Sequence, residues 1–165
     1  MLEGFLKHAK SLNGHPEIYI NRLYENLVIN EQAMKRYGAF LNQVLEAEPG
    51  AVLWHCSAGK DRAGMASAFL LTALDVDRET VISDFTASNE FLQKETDGMT
   101  ALVRSRTSDP NLEKCAEILC QVHESYIRGA FRIIEDRFGG MDSYLENQLN
   151  FSREKRDRLK ERFCI

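Results

Sequence analysis

This sequence offers little to a membrane, a nucleic acid or a metal. No apolar run approaches the roughly 20 residues that a membrane-spanning helix needs. Lys and Arg total 21 against 25 Asp and Glu, a net charge of −4, so there is no basic field for nucleic acid or anionic lipid. The four cysteines, Cys56, Cys115, Cys120 and Cys164, match no zinc-ligand spacing and suggest no disulfide framework. Cys115, Cys120 and Cys164 read as small buried apolar residues. Met1–Asn13 carries Glu3, Lys7, His8 and Lys10 and no small-residue cleavage site, so it does not read as a signal peptide. A cytoplasmic, reducing location is expected. Internal repeats and low-complexity linkers are also missing. What remains is a chain of 165 residues, 44% hydrophobic and 28% charged, suited to one domain spanning 1–165 with a buried core.

Most of that chain reads as helix. The expected segments begin with Leu2–Ser11 and then Pro16–Val28, with Pro16 in the first turn. A third, capped by Asn30, carries Met34, Tyr37, Leu41, Val44 and Leu45 at helical spacing until Pro49-Gly50 ends it. A helix from Arg62 or Ala63 carries Met65, Ala66, Phe69, Leu70, Ala73 and Leu74. Asp77 is expected to cap a segment through Ser83, and Ser88 to cap another from Asn89. Asp109-Pro110 opens a further helix. Val122, Tyr126, Ala130, Ile133 and Ile134 form a core stripe that stops at Gly139-Gly140. Met141–Leu149 and Ser152–Phe163 close the chain. The mixed charges of Arg153–Arg162 read as a solvated helix face. The single confident strand is the apolar run Ala51-Val52-Leu53-Trp54, and one strand cannot satisfy its own backbone groups.

Between that run and the next helix lies His55-Cys56-Ser57-Ala58-Gly59-Lys60-Asp61-Arg62-Ala63-Gly64. Five residues separate Cys56 from Arg62. An arc of that length lets successive amide N–H groups converge on the three non-bridging oxygens of a phosphate. Arg62 adds a planar pair of donors, and the following helix adds its positive end. The same field lowers the pKa of a thiol that ordinarily titrates near about 8.5. A thiolate at Cys56 could attack phosphorus and form a phosphocysteine that water then cleaves. Gly59 and Gly64 suit unusual dihedrals and close backbone approach. No metal or other cofactor is called for, because Arg62 and the amides take over that charge.

The loop resembles that of the protein tyrosine phosphatases. With Gly59-Lys60-Asp61-Arg62 it is similar to the atypical bacterial and fungal members, some of which act on both proteins and phosphoinositides. Asp84-Phe85-Thr86-Ala87-Ser88-Asn89 and the stretch from Phe138-Gly139 through Tyr144-Leu145 to Leu159 resemble downstream segments of that family. The resemblance implies an α/β, helix-rich, phosphatase-like fold, with further strands ahead of the region where this chain opens. Those strands would complete a sheet around Ala51–Trp54. Without them the chain is expected to be mainly helical, with its strand pairing with another copy. The family usually has Ser or Thr after the arginine, and its hydroxyl helps the cysteine sulfur leave. Here that position is Ala63.

Cys56 is the expected nucleophile and Arg62 the phosphate clamp. Ser57, Ala58, Gly59, Lys60, Ala63 and Gly64 line the phosphate, and His55 supports the loop. Lys60 reads either as a sensor of extra substrate charge or as a solvated loop lysine. Asp61 is either the proton donor and acceptor of the reaction or an ion-pair partner of a neighbour, the acid then lying in the N-terminal part that the resemblance implies ahead of this chain. Asp84 and Asn89 read as packing or capping residues, and His8, His15 and His123 as surface or packing residues. The function expected is hydrolysis of phosphotyrosine, extending to phosphoserine/threonine or phosphoinositides. The alternatives are a phosphate-binding pseudophosphatase and an incomplete fragment with little turnover.

Overall fold

Helix signals dominate the sequence, and in the computed structural model, which describes residues 2–164, they organise nearly everything. Nine helices occur among the described residues: α1 Leu2–Ser11, α2 Pro16–Ile29, α3 Glu31–Glu46, α4 Asp61–Ala73, α5 Arg78–Arg104, α6 Pro110–Cys120, α7 Glu124–Phe138, α8 Met141–Asn147 and α9 Arg153–Phe163. None is long and apolar enough to cross a membrane. The starts follow the predicted caps. The Asn30 side chain accepts from the amides of Gln32 and Ala33, Asp77 from Thr80, and Asp109 from Asn111. Each such cap is worth about 1 kcal/mol. His123 caps α7 by accepting from the Ser125 amide, a role its sequence context did not announce. Gly139, at φ 77°, ends α7 in the left-handed conformation that a side chain would disfavour.

The main core lies where α2, α3, α4, α5 and α7 converge, closed by α8 and α9. Phe69 of α4 is fully buried between Tyr37 of α3 and Tyr144 of α8, at ring-centroid distances of 5.0 and 5.6 Å. The Tyr144 hydroxyl donates to the Val28 carbonyl at 2.9 Å, so this buried aromatic leaves no polar atom unmet. Burying side chains of this size stabilises by roughly 1.5–3 kcal/mol each. A smaller cluster, Ala9, Val103, Leu112, Cys115 and Ala116, joins α1 and α6 to the far end of α5. At 27 residues, α5 is about 40 Å long by its rise per residue and reaches both clusters.

Several expectations need correction. Ala51–Trp54 forms no strand: no strand occurs among the described residues, and these four make no backbone hydrogen bond to another segment. With no neighbouring strand there is no ladder to join. Leu53 is left 88% exposed. The helix-rich character holds. Ser88 starts no helix, because α5 runs straight through it. Its hydroxyl donates back to the Phe85 carbonyl at 2.8 Å and is satisfied inside the helix. Asp84 neither packs nor caps; it is exposed in mid-helix. Cys164 is exposed and Cys120 only half-buried, whereas Cys115 is buried as expected. The basic tail is more than a solvated face. Leu159 is fully buried, Arg156 is buried and pairs with Asp142 at 2.6 Å, and Arg162 donates to the Leu45 carbonyl at 2.7 Å and to that of Ala47. Arg162 thereby satisfies carbonyls at the C-terminal end of α3.

Gly38 shows how closely α3 meets the turn after α8. A Cβ there would lie 2.2 Å from the Leu149 carbonyl oxygen, which is backbone and cannot swing aside. Alanine would gain roughly 0.5–1 kcal/mol of helix preference. The clash should outweigh that gain, since overpacking costs typically 1–3 kcal/mol. Gly38→Ala is expected to lower the unfolding free energy by about 1–2 kcal/mol in a urea titration. Unchanged or increased stability would show that α3 and the turn are not in this contact.

Candidate active site

The predicted loop is positioned from both ends. Ahead of it, the Trp54 indole N–H donates to Ser67 Oγ of α4 at 3.1 Å, and the ring packs edge-on against Phe40 of α3 at 5.3 Å. Behind it, α4 begins at Asp61 and buries Met65, Ala66, Ala68, Phe69 and Ala73. Gly64 lies where α4 crosses α5, and a Cβ there would come within 2.9 Å of the Phe85 ring. Phe85, one of the residues in the downstream segment, therefore fixes how closely the loop approaches α5. Gly59 turns the loop at φ 70°.

No side chain caps the N-terminus of α4, where Lys60 occupies the capping position. The first amides of the helix are thus free for an anion. Cys56 is half-buried above them. Burial is the largest influence on its thiol and opposes ionisation. The amide N–H groups of Ala63, Ala58 and Gly59, followed by the Arg62 guanidinium, together outweigh it and hold the pKa below the ordinary thiol value. Hydrogen bonds to a charged acceptor are worth roughly 1.5–3 kcal/mol each, so three amides can offset a partial desolvation. Arg62 folds across the loop, its Nη2 donating to Ser57 Oγ at 2.7 Å. His55 lies beside the chain, with Nδ1 3.2 Å from the Cys56 carbonyl, to which the Nδ1–H tautomer donates.

Lys60 is 5% exposed, so it is not a solvated loop lysine. Its ammonium donates inward, to Asp61 Oδ1 at 3.1 Å and to the Gln121 carbonyl at 3.4 Å. Asp61 Oδ1 also accepts from the Tyr24 hydroxyl of α2 at 2.8 Å. Tyr37 of α3 donates to the Arg62 carbonyl at 3.4 Å. Asn89, read from sequence as a packing residue, clamps the main chain of Val122 in both directions, at 2.8 and 2.9 Å. This fixes the residue next to the carbonyl that Lys60 uses.

Sequence reasoning missed Tyr24 and Tyr37. Both sit among apolar residues at helical spacing, which reads as core. The available signal was the hydroxyl itself, since a buried tyrosine needs a polar partner. His8 packs edge-on against Tyr19 at 4.6 Å, away from the loop residues.

The amides of Ala63, Ala58 and Gly59 surround the Cys56 sulfur at a helix N-terminus, and the charge of Arg62 lies beside it. A model of the tyrosine phosphatase family matches residues 3–165, and the chain belongs to that family. It is 32% identical over 112 residues to an inferred tyrosine-protein phosphatase of Cupriavidus necator, covering 67% of this chain and 40% of that protein. It is 23% identical over 148 residues to the triple specificity protein phosphatase of Mycobacterium tuberculosis, covering 84% of this chain and 52% of that protein. The chain thus spans about half the length, or less, of these relatives.

The ordering of the influences on Cys56 can be checked directly. Removing the Arg62 charge disfavours the thiolate, so the pKa rises and the alkylated fraction at a given pH falls. In Arg62→Ala the midpoint of the pH dependence of iodoacetamide alkylation should move up, while the amides of Ala63, Ala58 and Gly59 still favour the thiolate. Cys56→Ser gives the background from the other cysteines. A midpoint that stays put or moves down would show that Arg62 does not bear on the thiol.

Proposed function

We propose that this chain is a cysteine-dependent phosphate monoester hydrolase, one phosphatase-like unit acting on phosphotyrosine. The observation that carries this reading is the convergence of the Ala58, Gly59 and Ala63 amides and Arg62 on Cys56, at an uncapped helix N-terminus. Cys56 Sγ attacks phosphorus, the ester P–O bond breaks, and the leaving oxygen takes a proton from Asp61. Water then attacks the phosphocysteine, the S–P bond breaks, and Asp61 takes the water proton while the thiolate returns. The net reaction is ester plus water to alcohol plus phosphate. The name of the Mycobacterium relative credits that protein with triple specificity, which supports a substrate range wider than phosphotyrosine alone; we extend it to phosphoserine/threonine or phosphoinositides. A reducing, cytoplasmic setting suits a nucleophile that must remain an unpaired thiol.

Stopped-flow hydrolysis of p-nitrophenyl phosphate tests the chemistry. Wild type should release a burst near one equivalent and then turn over slowly, because Ala63 supplies no hydroxyl to assist the second step. Cys56→Ser should abolish both phases, and Ala63→Thr should raise the steady rate severalfold. Release unaffected in Cys56→Ser would rule out the cysteine mechanism. Orthovanadate binding without any release from wild type would point to a pseudophosphatase.

The surface around Ala51–Trp54 bears on partners. Beside the unpaired backbone lies an apolar groove of about 210 Å³, lined by Val44, Val52, Trp54, Leu70, Leu74 and Phe163. An exposed apolar edge with free backbone groups is a template for another strand. In the isolated chain the available occupant is the same segment of a second copy, paired about a two-fold axis. Light scattering behind a sizing column should show concentration-dependent dimers in wild type and monomers in Leu53→Lys. Wild type that stays monomeric at 100-fold dilution and at full load alike would exclude this pairing.

A further inference from the structure

We infer that Tyr24 is a positioning residue for proton transfer: with Lys60 it holds Oδ1 of Asp61, so that Oδ2 alone meets the leaving group and the attacking water. The inference rests on the phosphatase reading above and assigns a new part to a residue of α2, far from the loop in sequence.

Both donors converge on one oxygen, the Tyr24 hydroxyl at 2.8 Å and the Lys60 ammonium at 3.1 Å. Neither donor has room to wander. Tyr24 is 2% exposed, its ring set against Tyr126 at 5.4 Å and edge-on to Phe85 at 6.0 Å. Lys60 is tied at its other side to the Gln121 carbonyl, next to the main chain that Asn89 clamps. A carboxylate with one oxygen fixed by two donors loses its freedom to rotate about its terminal bond. Its second oxygen takes no donor from the described residues, yet it is not among the sealed polar atoms, and the side chain is 20% exposed. One oxygen is committed and the other is open, the arrangement a proton-transfer group needs.

The chemistry balances without a proton leaving Tyr24 or Lys60. In the first step Oδ2–H gives its proton to the leaving oxygen, and the negative charge that develops on Asp61 falls on a group already facing two donors. In the second step Oδ2 takes the water proton. Burial, followed by the charge of Asp61, pushes the Tyr24 phenol far above its usual range, so it stays a donor throughout.

The test compares p-nitrophenyl phosphate, whose leaving group departs almost unaided, with phenyl phosphate, whose leaving group needs the proton. kcat/KM is the quantity to read, because it reports formation of the phosphocysteine whichever step limits turnover. Tyr24→Phe keeps the ring and its packing. It should lower kcat/KM about 10-fold for phenyl phosphate and less than about 3-fold for p-nitrophenyl phosphate, with orthovanadate affinity unchanged. Asp61→Asn should show the same split, larger. Equal losses on both substrates, or none on either, would overturn the positioning role while leaving the phosphatase standing. Asp61→Asn without a split, in an active enzyme, would overturn it as well. A wild type that hydrolyses neither substrate would overturn the phosphatase reading, and this inference with it.

Discussion

The region around Cys56 turns on one balance, in which burial raises the pKa of the sulfur and the donors around it lower that pKa. Burial alone would disfavour the thiolate. What reverses that is the aim of a few backbone amides, and amides can be aimed only if the loop and the first turn of α4 are held rigidly. The core can be understood as the means of holding them. Phe69, between Tyr37 and Tyr144, fixes the body of α4, Gly64 and Phe85 set its distance from α5, and Trp54 ties down the incoming segment.

Electrostatic pairing around the loop follows the same logic. Lys60 and Asp61 are adjacent in sequence, and in isolation such a pair would be a weak surface contact. Here Lys60 is buried, and the pair is extended by Tyr24 on one side and the Gln121 carbonyl on the other. Four segments, α2, the loop, the main chain at residues 121–122 and Asn89 of α5, are linked through one carboxylate, one ammonium and one amide side chain. Such a network in a low-dielectric setting makes each member sensitive to loss of the others.

The apolar face at Ala51–Trp54 is the counterpoint. It has the composition of a strand, but these residues form none and make no backbone hydrogen bond to another segment. Its exposed Leu53 contrasts with the buried Lys60 a few residues later.

Much was legible in the residues alone. Asn30, Asp77, Asp109 and Gly139 mark helix ends by local chemistry, and local chemistry survives folding. The ten residues from His55 to Gly64 announced a loop leading into a helix, because turn and helix-start signals act within a few residues of backbone. The Ala51–Trp54 strand was misread for the opposite reason: a strand is a relation between segments, and propensity cannot supply the partner. Ser88 was misread because a serine serves equally as a cap or as a helix residue bonded back to its own carbonyl, and only the continuity of α5 decides. The Tyr24 hydroxyl signalled a need for some polar partner, but neither that partner nor the inward turn of Lys60 could be read locally. Composition and local spacing determined that this chain carries a glycine-bearing loop with Cys56 at the head of a helix. Tertiary structure decided which distant hydroxyl, carbonyl and ring surround it, because those contacts join residues tens of positions apart that meet only when the helices pack.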